Sequence, residues 1–338
     1  MSVFVIAEAG VNHNGSLELA LELVDVAAAA GADAVKFQTF RAGALATGNA
    51  AKAAYQERTT GDGSQLAMLK RLELDEDAHR SLADRAAERG IEFMSAPFDH
   101  ESLDLLVRLG VHRLKLGSGE LTNAPLLEAA ARTGLPLILS TGMATLDEVT
   151  DAVRLVRAAG ADDVTVLHCT TEYPAPPDEV NLRAMGTMAD ALAVPVGYSD
   201  HTIGQTITLA AVALGATMIE KHFTTDRTLP GPDHPASLEP AELAELVATV
   251  RTVEAALGDG VKRPSPSELP NLAVARKSLV AATPITAGEP FSAANVAVKR
   301  PGTGISPMRL TQLLSRTASR AYAADELVDT GELPEADR

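Results

Sequence analysis

The stretch "VGYSDHTIGQTITLAAVALGATMIEKHFT" (196–224) holds two apolar runs, each stopping at a polar cluster that ends in histidine, His201 and His222. Between them, 204–214 has the length and composition of one helix. Strand, helix, strand in so short a span reads as a parallel β-α-β unit, since a helix is the usual crossover between parallel strands. The same unit recurs outward in both directions. Strands read at "VFVIAE" (3–8), "DAVKFQ" (33–38), "IEFMS" (91–95), "HRLKL" (112–116), "PLILS" (136–140), "DVTVLH" (163–168), "VPVGYS" (194–199) and "TMIEK" (217–221). Helices read at 16–30, 76–89, 99–109, 123–132, 145–158, 204–214 and 240–257, and Ser16, Asp75, Asp99, Asn123 and Thr145 stand where N-caps belong. Near-continuous apolar strands indicate a sheet covered on both faces. Eight such units predict an α/β fold of the (β/α)8 barrel type. An open doubly wound sheet is the competing architecture, and the lack of a glycine-rich phosphate turn after the first strand counts against it.

The rhythm breaks at 259–275, "DGVKRPSPSELPNLAVA", whose prolines and polar residues read as a linker. The barrel is thus expected over 1–258, and 276–338, with short strands and Gly/Pro turns, as a small second domain. Segment 39–74 is long for a βα loop and reads as a lid or helical insertion.

Hydrophobic residues make up 46% of the chain and aromatics 3%, so Ala, Val, Leu and Ile must fill the core. No apolar run reaches the roughly 18–20 residues of a membrane span. The start "MSVFVIAEAG" has no basic n-region, and the one cysteine, Cys169, excludes an internal disulfide. These features point to the cytoplasm. A net charge of −16 argues against nucleic acid as a partner, so any anionic ligand must be attracted locally.

Barrel enzymes carry their chemistry at the carboxyl ends of the strands. Those ends hold Glu8, Asn12–His13–Asn14, Lys36, Gln38, Ser95, Lys115, Ser118, Glu120, Ser140, Thr141, His168, Tyr173, Ser199, Asp200, His201, Glu220, Lys221 and His222. Three of the eight lysines, Lys36, Lys115 and Lys221, lie there within apolar runs. Buried lysines are costly unless paired, so the cluster suggests an anionic ligand. His201 and His222, on neighbouring strands, suit a first-row divalent cation with open positions for water and substrate. Pairing with carboxylates such as Glu8 or Glu120 is the plain alternative for the lysines. "KLGSGE" (115–120) and the Ser140–Thr141–Gly142 turn before Thr145 are two further candidate anion sites. Cys169 reads as packing, and "YPAPP" (173–177) as a rigid loop holding Tyr173 over the barrel mouth.

Taken together, "IAEAGVNHNGS", "AVKFQTF", "SAPFD", "KLGSGE", "LSTGMAT", "HCTTEYPAP", "GYSDHT" and "IEKHFT…PGPDH" resemble the sialic acid synthase family, and "VARKSLVA…VKRPGTGISP" resembles its small antifreeze-like (SAF) domain. The resemblance implies condensation of phosphoenolpyruvate with N-acetylmannosamine and water to give N-acetylneuraminate and phosphate. The same reaction on 2,4-diacetamido-2,4,6-trideoxymannose, a legionaminate synthesis, is the alternative. It implies that His201 and His222 hold the divalent metal, Mn²⁺ first, with Mg²⁺ or Co²⁺ in its place. It implies that Lys36, Lys115, Ser118, Ser140 and Ser199 bind phosphoenolpyruvate, and that Glu8, Gln38, Glu120, Tyr173 and Asp233 face the sugar. Glu8 and Glu120 would share the acid–base work. Arg300 would enter the partner's site in a domain-swapped homodimer, with no nucleic acid or membrane involved.

Two positions depart from the family pattern: Ala96 stands where a threonine is frequent, and Thr171 where many N-acetylneuraminate synthases have asparagine. A Schiff-base aldolase using Lys221 or Lys115 is the competing enzyme class. A non-catalytic sugar-binding barrel or an ice-binding protein is the competing binder.

Overall fold

Strand β1 (Phe4–Gly10) pairs in parallel with both β2 (Ala34–Thr39) and the last strand of its unit, β8 (Met218–His222). That closure decides against an open doubly wound sheet. With β3 (Glu92–Pro97), β4 (Leu114–Leu116), β5 (Leu137–Ser140), β6 (Val164–Cys169) and β7 (Val196–Asp200), the order is β3-β2-β1-β8-β7-β6-β5-β4, every ladder parallel. No ladder joins β3 to β4 among the described residues, so the eight strands form a nearly closed (β/α)8 barrel. The computed structural model describes residues 2–333. Residues 334–338, the end of the expected second domain, lie outside the described residues.

The barrel helices are α1 (Leu17–Ala29), α5 (Glu76–Arg89), α6 (His100–Leu109), α7 (Ala124–Arg132), α8 (Leu146–Ala158), α9 (Ala184–Leu192), α10 (Thr206–Ala213) and α11 (Pro240–Leu257). The capping signals mark real starts: Ser16, Asp75, Asp99, Asn123 and Thr145 each accept the N–H three residues on. The 39–74 segment is a helical insertion of three short pieces, α2 (Ala42–Leu45), α3 (Ala54–Thr60) and α4 (Gln65–Lys70).

Side chains alternate across each strand, so one parity fills the barrel and the other meets the helices. The outward parity, with Val5, Val35, Val166, Tyr198 and Ile219, packs under the helices as the main core. The inward parity starts as an apolar floor of Ile6, Ala34, Met94, Ile138, Leu167 and Met218. Two residues further along the same strands stand Glu8, Lys36, Ala96, Ser140, Cys169 and Glu220, and the mouth becomes polar. Gly197 belongs to the floor on β7. A Cβ there would lie 2.4 Å from the Met218 carbonyl oxygen and 2.7 Å from Leu167, so only glycine fits.

The chain divides between Gly258 and Asp259 into two compact units. The second has an antiparallel pair, β9 (Ser278–Ala281) and β10 (Val296–Lys299), and its own core of Leu279, Ala281, Ile285, Phe291, Leu313, Tyr322 and Val328. Within 259–275 the chain forms a short helix, α12 (Leu269–Ala275), none of whose residues is buried. Among the described residues no helix is long and apolar enough to cross a membrane.

Candidate active site

The parity of β7 and β8 explains the paired histidines. Ser199 lies opposite Glu220 in the ladder, and His201 and His222 each follow two residues later, on the same inward face. Their rings are 5.3 Å apart between centroids. Lys221 and Asp200 have the opposite parity. Lys221 Nζ bonds Asp200 Oδ2 at 2.9 Å and the Thr202 carbonyl, while Tyr198, Thr202 and Thr208 complete the Asp200 shell. Lys221 therefore does not join the other two lysines, and the Schiff-base reading loses it as a nucleophile.

A cavity of about 190 Å³ opens over the floor, lined in part by Glu8, Lys36, Gln38, Lys115, Ser118, Ser140, Tyr173, Ser199, His201 and His222. Lys36 Nζ reaches Glu8 Oε2 at 2.8 Å and Glu220 Oε2 at 3.5 Å, while Lys115 Nζ reaches Glu220 Oε1 at 3.0 Å. Ser199 Oγ donates to the same Glu220 oxygen at 3.0 Å. Burial alone would raise Glu220, but Lys115 and Lys36 outweigh it and hold the carboxyl at about 2. Glu8 has the weaker cationic support: burial, reinforced by the Glu220 charge and opposed by Lys36, pushes it up to about 7. Two buried ammonium groups thus share one firmly ionised carboxylate and one that is readily neutralised, which leaves cationic charge for an anion.

His201 Nδ1 donates to the Thr170 carbonyl at 2.7 Å, which leaves Nε2 as the nitrogen available to a ligand. Buried His222 Nδ1 has no hydrogen-bond partner among the described residues, and its nearest carboxylate oxygen, Asp233 Oδ2, is 3.9 Å away. Burial, followed by the His201 charge, holds His222 well below the usual imidazole range. Burial opposes protonation of His201 as well, but the Cys169 contact outweighs it and raises its pKa, so His222 is the neutral imidazole of the pair and His201 would release a proton on taking up a divalent cation. Among the described residues no group of three or more His, Cys, Asp or Glu side chains forms a metal cluster, so such a cation would have two protein ligands here and open positions beyond them.

Ser140 Oγ and Thr171 Oγ1 are also buried without a partner, and both line the cavity. Ser118 Oγ accepts the Gly142 N–H at 3.0 Å, so "KLGSGE" does bring a hydroxyl to the site. The second candidate turn, before Thr145, is closed at its helix end by a capping box. The carboxylate of Glu148 accepts the Thr145 N–H at 2.8 Å and its hydroxyl at 2.9 Å, occupying the start of α8. Ala96 lies in the wall and brings no hydroxyl.

Some of the expected residues stand apart from the cavity. Glu120 is buried beside it on the turn after β4, with Oε2 accepting the Asn123 amide at 2.6 Å. Asp233 is not among the lining residues, though its Oδ2 stands 3.9 Å from His222 Nδ1, and burial pushes its carboxyl up to about 6. Arg300 belongs to the second unit, where its Nε donates to the Ala275 carbonyl at 3.2 Å. Asn12 serves structure, its amide donating to the Phe223 carbonyl and Ser237 Oγ. Cys169, read as packing, is indeed buried but reaches the cavity wall, with Sγ 3.7 Å from His201 Nδ1. The cavity also contains Tyr55 and Phe98, which sequence reasoning missed, and Glu220, which it named as a neighbour without a task. A larger cleft of about 890 Å³ lies between α8 and α9 and shares Cys169 and Thr171 with this cavity. It contains no lysine and neither metal-type histidine, so the chemistry belongs to the smaller one.

Comparison with known proteins identifies the family. The NeuB family model matches residues 23–262 and the SAF domain model matches 276–333. The chain is 52% identical over 327 residues to an N,N'-diacetyllegionaminic acid synthase of Campylobacter jejuni, covering 96% of this chain and 98% of the relative. It is 48% identical to the protein of that name from Legionella pneumophila, covering 96% and 92%. The crystal structure of an N-acetylneuraminic acid (sialic acid) synthetase from Leptospira borgpetersenii, in complex with citrate, superposes with a TM-score of 0.71 at 39% identity, covering 80% of this chain and 90% of that one. By its motifs, its barrel and these matches, the chain belongs to the NeuB family, the sialic acid synthase group that its sequence resembles.

Proposed function

We propose that the protein condenses phosphoenolpyruvate with an N-acylated mannose-type sugar to give a nine-carbon 2-keto acid and phosphate. The favoured acceptor is 2,4-diacetamido-2,4,6-trideoxymannose, which makes the product N,N'-diacetyllegionaminate. The observation that carries the reading is the buried floor where Lys36 and Lys115 share Glu220 beneath His201 and His222. The choice of acceptor rests on the two legionaminic acid synthases at 52% and 48% identity. N-acetylmannosamine is the second acceptor, favoured by the 39% identical sialic acid synthetase.

In this reading Lys36 and Lys115, with the hydroxyls of Ser118, Ser140 and Ser199, hold the carboxylate and phosphate of phosphoenolpyruvate. Tyr173, Gln38 and Asp233 border the sugar. A divalent metal held by His201 and His222, Mn²⁺ first, supplies Lewis-acid polarisation of the aldehyde oxygen when bound. The enol carbon attacks the aldehyde carbon, a C–C bond forms, and the former aldehyde oxygen takes a proton. Glu8 is the carboxyl inside the cavity that can deliver it, while Glu120 shapes the adjoining turn through Asn123. The carbon bearing phosphate becomes cationic and water adds there. The tetrahedral adduct then collapses to the ketone as the C–O bond to phosphate breaks and a proton is lost.

Turnover of phosphoenolpyruvate carrying a heavy-oxygen label at the bridging position tests this chemistry. The label should leave in inorganic phosphate. Label retained in the keto acid would mean P–O cleavage and contradict the reading.

A further inference from the structure

Tyr55 enters the cavity from the 39–74 insertion, and the chemistry above leaves it without a task. It sits in α3, half-buried, in the cavity wall. Its ring centroid lies 4.9 Å from that of Tyr173, which lies 4.0 Å from His201 and 5.5 Å, edge-on, from His222. Tilted ring contacts thus run from the insertion through Tyr173 to the histidine pair. Gln56 Nε2 donates to the Tyr55 hydroxyl at 3.4 Å, the long end of a hydrogen bond. The phenolic proton itself has no acceptor among the described residues.

The helix that carries Tyr55 is lightly held. None of its residues is buried, and it meets the barrel through the ring contact and the exposed pair Arg58–Glu172 at 3.6 Å. Lys52 fastens its far end within the insertion, with Nζ donating to Thr60 Oγ1 at 2.9 Å and the Gly61 carbonyl at 2.7 Å. The cavity that Tyr55 borders measures about 190 Å³.

On the reading above, the ester lies on the lysine floor and the acceptor's aldehyde lies beside the histidines. The acceptor's remote carbons then point up at Tyr173 and Tyr55. We infer that Tyr55 is a specificity-determining residue for the acceptor sugar: its ring, with Tyr173, forms an apolar wall against the remote end, and its hydroxyl donates to an acylamino carbonyl there. An aromatic face suits a deoxy methyl and an acyl methyl, and disfavours a hydroxymethyl or phosphate that it would desolvate without pairing.

Steady-state constants for wild type, Tyr55→Phe and Tyr55→Ala, with 2,4-diacetamido-2,4,6-trideoxymannose and with N-acetylmannosamine, test the inference. Tyr55→Ala should raise KM for the diacetamido sugar about tenfold or more and narrow the preference over N-acetylmannosamine. Its KM for phosphoenolpyruvate should stay within about twofold, since the lysine floor is intact. Tyr55→Phe should fall between, keeping the ring and losing the donor. Unchanged acceptor constants in Tyr55→Ala would overturn the inference. So would a phosphoenolpyruvate KM rising in step, which would mark Tyr55 as a mere prop for the insertion. A wild type that turns over neither sugar would overturn the proposed function and this inference with it, whereas an active wild type with an indifferent Tyr55→Ala would overturn the inference alone.

Discussion

Lys115 Nζ lies 3.0 Å from Glu220 Oε1, both side chains buried at the barrel mouth, and the other oxygen of that carboxylate faces Lys36 at 3.5 Å. One ionised carboxylate thus holds two ammonium groups ready for a multiply charged ester without neutralising both. Lys115→Met keeps the length of the side chain and removes the charge. It should raise KM for phosphoenolpyruvate by about 30-fold or more, the low end for losing a buried charged contact, with a much smaller change in acceptor KM. Equal changes in both constants would show that Lys115 has no particular tie to the ester.

Glu220→Gln keeps shape and leaves two buried lysines short of a counter-charge. It should cost on the order of 3 kcal/mol, read as a lower Tm. Added phosphoenolpyruvate should raise the variant's Tm by more than it raises that of wild type, because the ligand replaces the missing negative charge. Equal ligand-induced shifts would contradict the placement of the ester.

His13 is wholly buried beside Phe37, its Nδ1 accepting the Gly15 N–H at 3.0 Å. Burial, with the charges of His79 and His234 adding to it, lowers its pKa from 6.5 to about 4. A folded value below the unfolded one means the neutral ring is favoured in the fold. Its contribution is fully present above about pH 6.5 and is lost as pH falls toward 4. The loss is up to about 3 kcal/mol. Urea unfolding across that window should show a smaller decline for His13→Asn than for wild type. Parallel curves would mean that His13 is not the group that titrates.

Asp75 caps α5 and lines no part of the cavity, accepting the Ala78 N–H at 2.8 Å. Asp75→Ala should cost about 1 kcal/mol in denaturant unfolding and leave both KM values unaltered. A loss under a few tenths would mean the cap is replaced by water.

For Arg300 the family resemblance implies a role in a partner subunit's site. If it completes the neighbouring site, Arg300→Ala and His222→Ala should each be nearly inactive alone. Refolded together, they should regain activity, since a mixed dimer contains one intact site. No recovery on mixing would confine Arg300 to its own chain or remove it from the site.

The barrel was legible because eight near-continuous apolar strands alternate with helices, and its mouth because most strands turn polar at their carboxyl ends, as in Ile6–Glu8 and Met218–Glu220–His222. Helix starts were legible because each cap is a local bond within four residues. The same parity, applied to Lys221, would have shown it pointing away from the site, since it alternates with Glu220 and His222. Tyr55 was not legible. Its place over Tyr173 depends on how a 36-residue insertion folds back, roughly 118 positions from its partner, and no local periodicity encodes such a contact. The separation of Glu120 from the cavity was hidden for a similar reason, since the short turn at Ser118–Glu120 rotates it toward Asn123.

The most direct test is phosphate release from phosphoenolpyruvate with Mn²⁺, compared across 2,4-diacetamido-2,4,6-trideoxymannose, N-acetylmannosamine and its 6-phosphate, each with and without chelator. The account predicts release that requires a sugar, is fastest with the diacetamido acceptor, and is abolished by chelator. Release without any sugar, or none with all three, would contradict it.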